Sequence, residues 1–246
     1  SGTVTQGLLL SLRWGEPYRA SWFLATEAAG RAIAGGPSRV CVDRLMSVAE
    51  SLAIQSYTSH AIAAVQILKG MAAFLQGRWR DARELLDRSD AVVQEQGIEA
   101  RTGFGVSGML DLARNWALWS AHYAGEVADL TRRLPALVAM ARRRNNYYAL
   151  ANFANISLPA LAADDPGRAE EEMREAMSHW SRHGFHLQHL YAMHSQLQCH
   201  LYRGDGVTAW EYVGQQWPVI EKSFLLRVQI IRGLWHHARA RSALAA

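Results

Sequence analysis

Gly77-Arg78-Trp79-Arg80-Asp81-Ala82 stops one helical pattern at a glycine and restarts another on a small residue five positions later. The same device recurs at Gly15 (GEPYRA, to Ala20), Gly125 (GEVADL, to Leu130), Asp164 (DDPGRA, to Ala169) and Gly204 (GDGVTA, to Ala209). Self-similarity of this kind marks stacked helix hairpins. The steps from Gly125 to Asp164 and from Asp164 to Gly204 match the roughly 34–47 residues of one hairpin repeat. The longer step from Gly15 to Gly77 leaves room for an additional helix. In each unit the glycine or aspartate permits a tight reversal, and the residue five on lets two helices approach closely. The residue between, Tyr18, Trp79 or Val127, plugs the gap.

Working outward, apolar spacing predicts helices near 4–14, 17–34, 38–53, 57–76, 80–96, 107–124, 127–144, 147–163, 166–183, 187–203, 207–222 and 224–244, and no segment reads as a strand. Ser38 is expected to cap the helix that follows Gly35-Gly36-Pro37, and Asp165 before Pro166 reads as an N-cap with proline at the first helical position. Arg142, Arg143 and Arg144 sit in a last turn, where cations meet the negative end of the helix dipole. No Gly or Pro occurs between Ser38 and Lys69; two helices with a joint near Gln55 are expected there. Pro135, Pro159 and Pro218 fall inside other helices and are expected to kink them. The fold class is therefore all-α, a right-handed α-solenoid of stacked antiparallel hairpins over 1–246 as a single repeat domain. The opening of the chain inside a helix-like pattern reads as a fragment of a longer protein.

Half of the 246 residues are hydrophobic, and nine Trp, eight Tyr and six Phe supply large buriable surfaces. The formal charge of +4 is spread over interspersed acidic and basic residues with no basic run among aromatics, so nucleic acid is not an expected partner. Cys41 and Cys199 stand far apart and outside any metal-ligand pattern, which fits a reducing compartment. No apolar run approaches the roughly 20 residues of a membrane span, and GLLLSL is too short for a signal peptide. A cytoplasmic chain without membrane contact is expected.

Gly70, Gly77, Trp79, Ala82 and Leu86 together resemble the tetratricopeptide repeat (TPR), and Gly204, Asp205, Ala209 and Val213 form a second, weaker match. Over almost the whole chain, stretches such as AAFLQGRWRDARELLDRSD, LAADDPGRAEEEMREAMSHWSRHGFHLQHLYA and LYRGDGVTAWEYVGQQWP resemble the C-terminal TPR region of large multidomain bacterial serine/threonine protein kinases. The resemblance implies a regulatory or partner-binding region of a signalling protein, and it brings no catalytic residue to these positions.

The remaining motifs are weighed on their chemistry. Gly103-Phe104-Gly105-Val106-Ser107-Gly108 spells GxGxxG, but phosphate cradling needs a strand-to-helix or strand-to-strand loop and none is evident; a flexible loop between repeats is expected. VAIK, HRD and DFG kinase motifs are absent. Among the crowded histidines, His179/His183 (i,i+4) and His186/His189 (i,i+3) have chelating spacing, yet they span a turn and lack an HExxH, so polar packing is the favoured reading. Glu170-Glu171-Glu172 and Asp164-Asp165 suit helix first turns. No enzyme, metal or cofactor is expected.

A concave groove is the expected functional surface. Counting back from Gly125 places Asn115, Trp119 and His122 on one helix face, and counting back from Gly204 places Tyr191, His194 and Gln198 on another. Such aromatic and amide sets suit a peptide backbone or a small polar ligand. The equivalent positions one unit earlier, Ala64, Ile67, Met71 and Phe74, are apolar and fit a core. The expected function is non-catalytic protein–protein interaction, with a partner or the parent kinase domain in the groove. A small-molecule sensor is the alternative.

Overall fold

The computed structural model describes residues 2–95 and 104–246. Among them are thirteen α-helices and no strand. They are α1 (Gly2–Trp14), α2 (Pro17–Ala32), α3 (Arg39–Gln55), α4 (Ser59–Leu75), α5 (Trp79–Glu95), α6 (Phe104–Ala124), α7 (Val127–Arg143), α8 (Tyr147–Phe153), α9 (Leu158–Ala162), α10 (Pro166–Ser178), α11 (Leu187–Tyr202), α12 (Gly206–Lys222) and α13 (Gln229–Ala245). The chain divides into two units, Ser1–Ser120 and Ala121–Ala246, with the boundary inside α6.

Six joints close in the same way. Gly15, Gly77, Gly125, Asn145, Asp164 and Gly204 adopt left-handed φ angles of 63, 77, 74, 50, 58 and 78°. At each, the next amide donates to the carbonyl five residues back, as in Arg78 N to Ala73 O at 2.9 Å and Asn146 N to Ala141 O at 2.9 Å. The left-handed residue's own amide donates three back, as in Gly77 N to Phe74 O at 2.9 Å. This pair of bonds satisfies carbonyls the ending helix would leave bare. The following residue then starts the next helix: Glu16, Asn146 and Asp165 accept hydrogen bonds from first-turn amides through their side chains. Five positions beyond each reversal Ala20, Ala82, Leu130, Leu150, Ala169 and Ala209 are all buried. All five breaks read from the sequence are thus true reversals. The sixth, at Asn145, lacks glycine; asparagine is the other residue that visits the left-handed region readily.

In the first unit the core is built from small residues at helical spacing. Ala25, Ala28, Ala29 and Ala32 of α2 meet Val42, Met46, Ala49 and Ala53 of α3 and Ala61, Val65, Leu68 and Ala72 of α4. Alanine at these contact lines lets three helices lie close together. The α4–α5 hairpin carries the repeat-like residues: Gly70 faces Leu86, and a Cβ built on Gly70 would come within 2.6 Å of Leu86 Cγ. Ala64, Ile67 and Phe74 are buried, in keeping with a core face. α6 joins this unit through Leu110 beside Ala63 and Val93, and through Trp116 against Phe74 at 4.6 Å. Cys41 is exposed and Cys199 buried, and neither forms a disulfide.

In the second unit α7 packs on α8 and α9, α10 on α8, α9 and α11, and α12 on α11 and α13. Several boundaries depart from expectation. The helix expected over 147–163 is interrupted at 154–157, because Pro159 lacks an amide proton and its ring conflicts with the carbonyl four residues back, at Asn155. Pro159 therefore opens α9 rather than kinking a longer helix, while Pro135 and Pro218 do lie inside α7 and α12. α10 ends at Ser178, not 183, with Gly184 left-handed at φ 78° in the connection that follows. The last helix starts at Gln229 rather than 224, since Phe224 is itself left-handed. Ser38 does not cap α3: its hydroxyl turns back to donate to Gly35 O at 2.7 Å. The joint expected near Gln55 is present between α3 and α4, and Asp165 caps α10 as read.

These contacts predict opposite outcomes for three glycines, read by urea denaturation. Gly70→Ala overpacks the α4–α5 contact and lowers stability by about 1–3 kcal/mol. Gly204→Ala meets open space but a left-handed backbone and costs about 1–2 kcal/mol. Gly233→Ala, within α13 and also facing open space, raises stability by about 0.5–1 kcal/mol.

Candidate functional site

The six residues read as a groove are mostly interior. In the first unit Asn115 and Trp119 are 2% and 1% exposed on α6. In the second unit Tyr191 and His194 of α11 are 2% and 6% exposed, and His122 and Gln198 are half-buried. On α11, Gln198 and His194 belong to a chain of hydrogen bonds. Arg241 of α13 donates to Gln198 Oε1 at 2.9 Å, and Gln198 Nε2 donates to His194 Nε2 at 3.1 Å. His194 therefore accepts at Nε2 and holds its proton on Nδ1, with its ring edge-on to Trp235 at 6.2 Å.

Burial above all, then the neighbouring His122, Arg241 and His237, pushes the His194 imidazole down to about 3. Burial takes His122 down to about 4. It also raises Tyr191 well above the ordinary phenol value, with Tyr123 and Tyr148 adding to the effect. These groups are uncharged at neutral pH, and the two imidazoles titrate far from the pH at which a general acid or base works well.

An open groove lies on the other side of α11. At about 100° per residue, Tyr191, His194 and Gln198 share one face, and His189, Ala192, Met193 and Gln196 share the opposite one. That second face, together with Glu170, Met173, Arg174 and Met177 of α10 and Tyr212 of α12, lines a groove of about 600 Å³. Its floor holds three methionines, whose unbranched, polarizable side chains adapt to varied partners.

The groove's rim is charged and tied down. Glu170 accepts from both terminal nitrogens of Arg203 at 2.6 and 2.7 Å and from Gln196 at 3.0 Å, and the Arg203 bond holds its carboxyl below the usual range. Arg174 pairs with Glu171. At one end His189 accepts the His186 amide at Nδ1 (3.0 Å) and stacks on Phe185; burial, then His186, lowers its proton affinity.

Two more of the clustered histidines, His179 and His186, meet aromatic side chains. His179 stacks on Tyr147 at 4.8 Å, and His186 accepts from Trp180 Nε1 at 3.2 Å. His179 and His183 share no helix face, because α10 ends at Ser178. No group of three His, Cys, Asp or Glu side chains able to hold a metal occurs among the described residues. Of the GxGxxG stretch, Gly103 lies outside the described residues, and Phe104–Gly108 are helical from the start of α6, not a loop. No helix of the described residues is long and apolar enough to cross a membrane.

The methionine groove escaped the sequence reading, although a signal was present. Met173 and Met177 are spaced i,i+4 on the otherwise charged PGRAEEEMREAMS helix.

A prediction follows from His194. An unfolded chain takes up a proton near 6.5 that the folded site rejects until about 3, so stability is full above about pH 6.5 and declines as pH falls toward 3. At pH 5 the loss is on the order of 2 kcal/mol, and urea denaturation of His194→Gln beside the parent chain should show this part of the slope removed. Comparison of the chain with family models, with curated proteins and with solved structures gave no match.

Proposed function

We propose that this chain is a non-catalytic interaction module, its hairpins stacked as a right-handed TPR-like solenoid, that docks an amphipathic helix of a partner protein. The observation that carries this reading is the groove between α10, α11 and α12, with Met173, Met177 and Met193 between charged edges. Helix-in-groove recognition uses apolar anchors three and four residues apart, and thioether side chains repack around such anchors. The lining carries one charge of each sign, Glu170 and Arg174, and each is already paired, with Arg203 and Glu171. The groove therefore selects its occupant by the apolar stripe rather than by net charge. The resemblance to the repeat region of bacterial serine/threonine kinases supports a regulatory setting in the cytoplasm, with the docked helix belonging to a partner or to the parent kinase.

A fluorescent amphipathic helical peptide of Leu, Lys and Glu tests this directly by anisotropy, against a peptide of the same composition with its leucines scattered around the helix. The amphipathic peptide should bind and the scattered one should not. Met177→Glu should weaken binding by about tenfold or more, while Val207→Glu, exposed on α12 away from the groove, should not. Equal binding by the parent chain and Met177→Glu would sink the proposal, as would ATP turnover by the purified chain.

A further inference from the structure

The interrupted α8–α9 segment opens a second, more enclosed space in the same unit. A cavity of about 210 Å³ lies between α7, the 154–160 stretch and α10. Leu134 and Val138 of α7 and Ile156 of the interruption form an apolar floor, each buried. One wall is the break, through Ala154, Ile156 and Ser157, continued by Pro159 and Ala160 of α9. A volume below the roughly 300–1,000 Å³ of drug-sized ligand sites calls for a small occupant.

The polar side of the cavity has a particular chemistry. Arg168 and Glu172, one turn apart on α10, both line it, and Arg168 Nε stands 4.0 Å from Glu172 Oε1, beyond hydrogen-bond reach. Arg142 also lines it, but its guanidinium is committed to Glu175, with Nε at 2.9 Å from Oε1. Burial, partly offset by Arg168 and Arg142, raises the Glu172 carboxyl above its ordinary value. Both side chains are partly exposed, 49 and 33%, and no hydrogen bond locks one to the other, so a loosely paired cation and anion stand side by side at the cavity's edge.

We propose that this cavity binds an aliphatic α-amino acid, with its hydrocarbon side chain against Leu134, Val138 and Ile156, its carboxylate on Arg168 and its ammonium on Glu172. Each alternative leaves a charge opposed. A simple carboxylate meets Glu172, a simple amine meets Arg168 and Arg142, and a neutral hydrocarbon strips water from the pair without replacing it. The zwitterion completes both halves. This site is separate from the methionine groove and takes a different kind of ligand, so either reading stands or falls without the other.

Isothermal titration of the full chain with L-leucine is the test, with isocaproate, which lacks the ammonium, and isopentylamine, which lacks the carboxylate, as paired probes. L-Leucine should bind at millimolar concentration or below, and each analogue should bind about tenfold more weakly or worse. Arg168→Gln and Glu172→Gln, on the partly exposed side of α10, should each lose about tenfold while keeping the helical circular dichroism of the parent. Val138→Trp, which fills the floor, should abolish binding. Absence of any leucine heat, binding of either analogue as tight as that of leucine, or undiminished leucine affinity in Arg168→Gln and Glu172→Gln would overturn the assignment.

Discussion

A single residue forced through left-handed φ, with the helix before it closed by two backward hydrogen bonds, is the constraint on which the rest of the chain depends. At Gly15, Gly77, Gly125, Asn145, Asp164 and Gly204 that residue is followed by one capping position and then by the next helix. So short a joint leaves the second helix little choice but to run back along the first. The two must then touch near the turn, where a bulky side chain would hold them apart. The buried residue five positions on is alanine at Ala20, Ala82, Ala169 and Ala209, and leucine at Leu130 and Leu150. Backbone geometry and side-chain size thus enforce the same pairing.

This logic explains what could be read from the chain before its structure was known. Glycine at a reversal and alanine after it are local statements, and the sequence carries them openly. Asn145 was missed because asparagine serves many other purposes, and the 154–157 interruption because Pro159 was weighed as a kink rather than a start. The groove was harder still. Counting back from a reversal finds the face of a helix that repeats, but a face repeats most regularly where it packs. Tyr191 and His194 were therefore found as a periodic set and proved interior. The face bearing Met193 and Gln196 is open only because α10 and α12 meet α11 as they do, a fact of packing that spacing does not record.

α10 is the element on which both candidate sites converge. Its Glu170, Met173, Arg174 and Met177 line the groove, and its Arg168, Ala169 and Glu172 line the cavity. The charged residues of one helix are divided between two environments, which is why a run of glutamates that looked like simple dipole compensation has three differing surroundings. Glu170 is held by Arg203, Glu172 faces the cavity, and Glu171 pairs with Arg174 on the surface. Lateral ties such as Arg142 to Glu175 fix α10 to α7.

The brevity of the joints has a kinetic side. Helices that are neighbours along the chain are neighbours within each unit, so most native contacts form without closing a long loop. Chains dominated by such short-range contacts cross their folding barrier quickly, because little configurational freedom is surrendered before contacts reward it. A ribosome releasing this chain from its N-terminus would present each hairpin complete, able to collapse before the next emerges.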